Sequence, residues 1–266
     1  MRQDLLRHPF IIEQEKTMSK ILFAGEQVTG LGVEIKGFDS FQVSAYKEDG
    51  QALYAALIAA GHEVTWMRSS HVATHFPESL AELQEYAVII LSDVGSNTLL
   101  FHPEMLARSI AHPNRLKLLA EYVRQGGGLV MVGGWMSFAG IDGKAKYHDS
   151  FLEEALPVTC LPYDDRKERP EGVTPTIEQP GHPVLANVPA EWPYFLGYNK
   201  VMTKAEASTV LAVDGDPLLS VWTYGAGRAA AFMSDCAPHW GPEAWLAWRG
   251  YGVFWNNLMA WLAKAS

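Results

Sequence analysis

The densest run of reactive side chains is Ser234-Asp235-Cys236-Ala237-Pro238-His239-Trp240. A cysteine with a histidine three residues on could form a thiolate pair, the proton passing to imidazole. Pro238 stands between the two and could turn His239 away, and a lone cysteine is also a common small core residue. The run therefore offers Cys236 as a nucleophile, or His239 as a pocket base oriented by Asp235 or Asp93. A second candidate is Gly133-Gly134-Trp135-Met136-Ser137, which has the position of a nucleophile elbow: buried strand, sharp glycine turn, polar loop. Such an elbow needs Cys or Ser at its apex, where Trp135 stands, and Ser137 lies two residues beyond. The same glycines equally suit a close approach of the backbone to a helix or a ligand. Backbone N–H groups around Gly134 and Trp135 are the candidate donors for an anion.

Other polar groups are candidates for binding rather than for bond-making. Asp93 and Asn97 close the run Asp93-Val-Gly-Ser-Asn97, and Tyr198, Asn199 and Lys200 follow Gly197. Asp164-Asp165-Arg166 reads as a solvated turn with an internal ion pair. His8, His71, His75, His102, His112 and His182 have no metal-ligand spacing, so neither a metal nor a cofactor is expected. Gly126-Gly-Gly128 precedes a strand and lacks the lysine of a phosphate loop.

The elements that must position these groups follow from apolar runs. Ile21–Gly25, Glu63–Met67, Ala87–Ser92 and Leu129–Val132 read as strands, three of them buried on both faces. Helical spacing over Gly50–Gly61 and over Pro113–Gln125 separates them, which predicts βαβ units and a mostly parallel sheet. Eight of the fifteen prolines fall between Pro157 and Pro193, so this stretch is expected to be a loop-rich insertion with short edge strands. Thr209–Val213, Leu218–Tyr224 and Ala229–Ser234 then read as strands, the last two joined by Gly225-Ala-Gly227 as an antiparallel pair. Arg249–Ala263 reads as a closing helix. Five of nine tryptophans lie between Trp240 and Trp261, suited to core packing or a subunit contact. Ligands of an open parallel sheet bind beyond the carboxyl ends of its strands. That rule gathers Gly25-Glu26-Gln27, Lys36-Gly37-Phe38-Asp39, Asp93–Asn97, Gly133–Gly143 and Ser234–Trp240 at one rim.

The chain has 266 residues, 48% apolar and 19% charged, with a net charge of −9. This is globular composition, and the acidic balance without a basic block excludes a nucleic-acid footprint. No apolar stretch is long enough to span a membrane. Two cysteines, Cys160 and Cys236, make no disulfide framework, which points to a reducing cytoplasm. Residues 1–17 are charged throughout and unlike a secretory signal, so they read as an extension before Met18, a second possible start.

With these motifs the chain resembles the putative glutamine amidotransferase-like family, in the class I glutamine amidotransferase-like superfamily. The resemblance rests on Lys36-Gly-Phe-Asp39, Leu91–Asn97, Gly126–Gly143, Leu156-Pro-Val158, Asp164-Asp-Arg166, Gly197–Lys200 and Ser234–Trp240. It implies a flavodoxin-like three-layer α/β sandwich over 18–266, in the cytoplasm. Glutamine-hydrolysing members carry Cys at the elbow and a later His with Glu. Here the elbow is Gly134-Trp135-Met136, and Glu243 is four residues from His239. The expectation is a protein that binds a small polar metabolite at the sheet's carboxyl edge without Cys-dependent glutaminase activity. His239, Asp235, Cys236 and Ser137 are its catalytic candidates; Asp93, Asn97, Gly134, Trp135, Tyr198, Asn199 and Lys200 are its binding candidates. The alternative is a non-catalytic binding or assembly protein that forms homo-oligomers through its Trp-rich C-terminal helix.

Overall fold

A strand buried on both faces needs apolar residues at every position, and three runs meet that demand in full. Val88–Ser92 and Gly128–Val132 are buried at all five positions, and Lys20–Gly25 at all but the first. The computed structural model describes residues 18–263, so the expected extension over 1–17 lies outside the described residues. In chain order the first strands are β1 (Lys20–Gly25), β2 (Gln27–Lys36), β3 (Asp39–Glu48), β4 (Glu63–Met67), β5 (Val88–Ser92), β6 (Gly128–Val132) and β7 (Val158–Thr159). They continue as β8 (Arg166–Val173), β9 (Thr176–Ile177), β10 (Phe195–Asn199), β11 (Met202–Thr203), β12 (Ser208–Val213), β13 (Asp216–Tyr224) and β14 (Gly227–Phe232).

Eight strands form one sheet in the order β4-β1-β5-β6-β14-β13-β12-β9. From β4 to β14 all neighbours are parallel, and from β14 to β9 all are antiparallel. Numbered among themselves, the parallel strands run 2-1-3-4-5, the order of a flavodoxin-like sheet with its switch point between β1 and β5. The expected antiparallel pairing across Gly225 is present as β13 with β14. The proline-rich stretch contributes β9 to the sheet edge and β8, which pairs with β10 apart from the sheet.

The helix read from Pro113 begins at Arg115, because Asn114 caps it: its side chain accepts the Lys117 N–H at 3.1 Å. The helix Gln51–Ala59 packs against the closing helix Tyr251–Leu262, and Arg115–Arg124 packs against Phe151–Ala155. Trp245 and Trp255 are fully buried, both in ring contact with Phe232 of β14. These two aromatics fill the protein's own core, one of the two uses that the sequence offered for the tryptophans.

The placing of Lys36–Asp39 at the rim is corrected. Residues 27–48 form a ten-pair antiparallel hairpin in register from Gln27↔Glu48 to Lys36↔Asp39. The turn Gly37-Phe38, with Gly37 at φ +66°, is its far tip and not part of the rim. Nearly every position of both strands is exposed, so no buried face imposed a period that the sequence could display.

Candidate functional site

Gly25 of β1 stands opposite Ser92 of β5, so the next residues, Glu26 and Asp93, leave the sheet side by side. Both take left-handed backbone conformations, φ +54° and +53°, which turn the chain sharply at the strand ends. Gly25 permits the approach: at φ +122°, a Cβ there would lie 1.7 Å from the Ser92 carbonyl oxygen. Two strands along, the chain leaving β14 delivers Asp235 to the same place. A cavity of about 240 Å³ opens here, lined by the carboxylates of Glu26, Asp49, Asp93 and Asp235 together with Val28, Trp135, Pro238 and His239.

The charge balance of this cavity is one-sided. Asp49 pairs with Lys47 at 2.6 Å, whereas Glu26, Asp93 and Asp235 form no ion pair among the described residues. Burial, reinforced by the neighbouring Asp93, pushes the Glu26 carboxyl up to about 8. Asp93 is raised by burial, against the pull of the Met136 N–H that its Oδ1 accepts at 2.6 Å. Asp235 is raised well above the ordinary aspartate range by burial and then by Glu26 and Asp93. Its Oδ1 accepts the Ala237 N–H at 2.9 Å. His239 is lowered, mainly by burial. Its ring meets Trp135 edge-on at 4.6 Å, and the Arg166 guanidinium lies 5.1 Å from the Trp135 ring. Arg166 is itself held by Asp164 at 2.8 Å, which the guanidinium keeps far below the usual carboxylate range.

Cys236 and Ser137 lie behind the cavity wall. Cys236 is fully buried, its Sγ 3.5 Å from Ser92 Oγ and 3.9 Å from Glu26 Oε1. Burial and the adjacent acids drive its thiol well above the ordinary value, opposite to what a nucleophile needs. The expected Cys236–His239 pair is thus replaced by a Cys236–Ser92–Glu26 cluster, in which Ser92 Oγ donates to Glu26 Oε1 at 2.5 Å. Ser137, 2% exposed, accepts the Asp93 N–H at 3.2 Å and so steadies the Asp93 turn. Neither Asp235 nor Asp93 hydrogen-bonds to His239, so the expected orienting contact is absent among the described residues.

The glycine turn is bracketed by Asn199. Asn199 Oδ1 accepts the Gly134 N–H at 3.0 Å, and its Nδ2 donates to the Gly134 carbonyl at 3.2 Å and to Asp165 Oδ1 at 2.8 Å. Asp165 also accepts the N–H groups of Ala139 and Gly140, both at 2.9 Å. Burial still pushes this carboxyl up to about 6. At Gly134, φ is +154°, and a Cβ would lie 2.7 Å from Asp93 Oδ1. The Gly134 N–H is therefore occupied by Asn199 and the Met136 N–H by Asp93, which removes Gly134 from the expected oxyanion donors; the Trp135 N–H forms no hydrogen bond among the described residues. Asn199, completely buried, positions the Trp135 loop instead of lining the cavity.

Three binding candidates sit elsewhere. Tyr198 is buried and donates to Asp216 Oδ2 at 3.0 Å, and Lys200 pairs with Asp216 Oδ1 at 3.0 Å. Asn97 is exposed on the short helix Ser96–Leu100. Two acidic lining residues were not among the catalytic and binding candidates, Glu26 and Asp49. Glu26 was legible as the residue that follows a buried strand; Asp49 closes the unrecognised hairpin and carried no signal.

Several groups could hold a cation. Ligand atoms of Glu26, Asp235 and Cys236 lie within 4.8 Å of one another, as do those of Glu78, His102 and His112, and of His148, Asp149 and Glu153. The fold thus joins His102 and His112, scattered in sequence, with ring centroids 3.9 Å apart and planes 18° apart. Near-parallel stacked rings cannot both point a nitrogen lone pair at one ion, so that pair packs without the geometry of a chelate.

Similarity to known proteins agrees with this architecture. The family described as "Putative glutamine amidotransferase" matches residues 20–264. The cytoplasmic protein STM3548 from Salmonella typhimurium is 41% identical, with a TM-score of 0.88 over 91% of this chain and 98% of that one. The cytoplasmic protein STM1381 from Salmonella typhimurium LT2 is 40% identical, with a TM-score of 0.88 over 92% and 100%. A ThuA-like protein from Bacteroides uniformis, 13% identical with a TM-score of 0.54 over 91% and 90%, shares the fold alone. No curated protein matches the chain. Among the described residues, no helix is long and apolar enough to cross a membrane. On the match over 20–264 and on two solved structures at 40% identity or more, the chain belongs to the putative glutamine amidotransferase family.

Proposed function

We propose that this protein binds a small cationic metabolite, one bearing an amino group, at the carboxyl edge of its sheet in the cytoplasm. The observation that carries the reading is a cavity lined by Glu26, Asp93 and Asp235, which form no ion pair among the described residues, while the nearby cation, Lys47, is paired with Asp49. An ammonium about 4 Å from one carboxylate gains about 4 kcal/mol at an effective dielectric of about 20, which offsets the desolvation that raises these carboxyls. Trp135, Val28 and Pro238 supply apolar wall for the carbon skeleton, and the Trp135 ring adds attraction for the cation. Glu26, raised to about 8, takes or gives a proton near neutral pH, and His239 at the mouth is a second titrating group. In this reading the stretch Pro157–Pro193 is an insertion on a three-layer sandwich and supplies Asp164, Asp165 and Arg166 behind Trp135. No thiolate takes part, so ammonia is not released from glutamine by the route of the Cys-bearing members.

A second reading is favoured by one observation: the ligand atoms of Glu26, Asp235 and Cys236 lie close enough to share a divalent cation. Thermal shift separates the two, using small amines, each paired with its deaminated analogue, and Mn²⁺ and Zn²⁺ as separate probes. The amine reading expects stabilisation by at least one amine, none by its analogue, and loss of the shift in Asp235→Asn. Stabilisation by Mn²⁺ or Zn²⁺ alone supports the second reading, and a response to anions only overturns both.

A further inference from the structure

The hairpin β2–β3 is the largest feature of the fold that the cavity leaves unexplained. Two-stranded ribbons are marginal in water unless something covers them, yet this one extends for ten residue pairs with almost no cover of its own. One face carries Leu31, Val33 and Ile35 in a row, at 82%, 64% and 73% exposure. The other face carries Val43 and Phe41 on β3, beside Gly30 and Gly32 on β2. Gly30 has an ordinary negative φ, and a Cβ there would meet nothing closer than 3.8 Å, so nothing within the chain requires glycine at this position. A glycine without an internal reason in a strand marks the close approach of something else.

We propose that the outer edge of β3 pairs with β3 of a second copy of this chain, antiparallel about a twofold axis through Val43. The two hairpins then form one four-stranded sheet with an isologous interface. Charge complementarity selects both the occupant and the register. Antiparallel pairing centred on Val43 sets Asp39 opposite Lys47 of the second copy and Lys47 opposite its Asp39, so two ion pairs close the two ends. Both groups are exposed in the single chain; Asp39 has no ion pair among the described residues, and the exposed Lys47, which pairs with Asp49 two residues on, is shared with or turned to Asp39 of the second copy. The same register sets Phe41 opposite Ala45, which is paired across its own hairpin with Gly30. An aromatic ring from the second copy thus lies over the place where Gly30 lacks a side chain, an arrangement known to favour glycine-bearing strands. Gln42 faces Ser44, and Val43 faces itself. The edge of β2 offers no comparable register: its charged residues, Glu34 and Lys36, are two apart at the tip, and pairing them leaves most of the strand unmatched. Nine facing residues supply roughly eight to ten interstrand hydrogen bonds, and an exposed ten-residue edge is left unblunted by proline or a bulge.

Symmetry makes the test sharp. Residues on the axis meet their own copies about 4.5–5.5 Å apart between Cα atoms, within disulfide range. Val43→Cys in the full chain is expected to give a covalent dimer on mild oxidation, with Cys160 and Cys236 buried and silent. Phe41→Cys is the control, because its symmetry mate lies about four residues along the strand, roughly 13 Å away, and it is expected to stay monomeric on the gel. Sedimentation equilibrium is expected to find the wild type as a dimer or an even multiple of one. Asp39→Lys and Lys47→Asp should each weaken association on the order of tenfold, since each sets two like-charged pairs face to face, and the double variant should restore it. A monomeric wild type, cross-linking of Phe41→Cys as readily as Val43→Cys, or a double variant no tighter than the singles would overturn the proposal.

Discussion

Glu26 and Asp93 end two adjacent parallel strands in the same register, with the same left-handed backbone, and bring both carboxyls into one cavity. Burial raises both carboxyls, and Asp235, raised by burial and then by these two, makes a third. This arrangement fixes the sign of the protein's pH dependence. Carboxyls raised above their unfolded values bind more protons in the folded state, so stability is greatest below the unfolded value and falls as pH rises through the folded one. For Glu26 the window runs from about 4.5 to about 8, and the slope approaches about 1.4 kcal/mol per pH unit. The melting temperature should therefore fall between about pH 4.5 and pH 8, the range set by that window. Glu26→Gln should flatten the fall, and an unchanged slope in that variant would remove Glu26 as its source.

Ligand binding should show the opposite trend. A cation favours the ionised carboxylates, so its binding releases protons and tightens as pH rises toward 8. Calorimetry of an amine ligand in two buffers of different ionisation enthalpy measures that release. Proton uptake on binding would rule out a cationic partner for these acids.

Cys236→Ala should leave ligand-induced stabilisation in place and lower stability by about 1 kcal/mol, the cost of a small buried truncation. Ammonia release from glutamine should be at background in both proteins. A cysteine-dependent signal in the wild type would show that the buried thiol reaches substrate after all.

Asn199→Ala should destabilise by about 3 kcal/mol, because it orphans both backbone groups of Gly134 and one bond to Asp165. Ligand affinity should drop with it, since the Trp135 loop loses its bracket. Gly134→Ala should weaken binding through a different contact, as its methyl group would press on Asp93 Oδ1. Equal affinities in wild type and Gly134→Ala would separate the loop from the site.

Much of this was legible in the residues. Five-residue apolar runs such as Val88–Ser92 can only be strands covered on both faces, and the alternation of strands with helices fixed a parallel sheet. That sheet, with the rule that ligands collect beyond its carboxyl ends, located the rim and with it Asp93, Trp135, Asp235 and His239. Cys236 and Ser137 could not be told from true site residues, because one residue along a turn decides whether a side chain faces a cavity or the core behind it. Asn199 drew notice for its polarity, which the fold uses internally to hold a backbone turn. The hairpin was missed since a ribbon exposed on both faces has no hydrophobic period, and with it went Asp49, which follows its second strand.

Glu26, buried and without an ion pair among the described residues, keeps its proton at neutral pH. Infrared difference titration of the ligand-free protein observes this directly through the carbonyl stretch of protonated carboxyls. The account predicts protonated-carboxyl absorption that persists at neutral pH, with one component that disappears with a midpoint near 8 and is lost in Glu26→Gln. Complete ionisation of every carboxyl by about pH 6, the upper end of unperturbed behaviour, would contradict it.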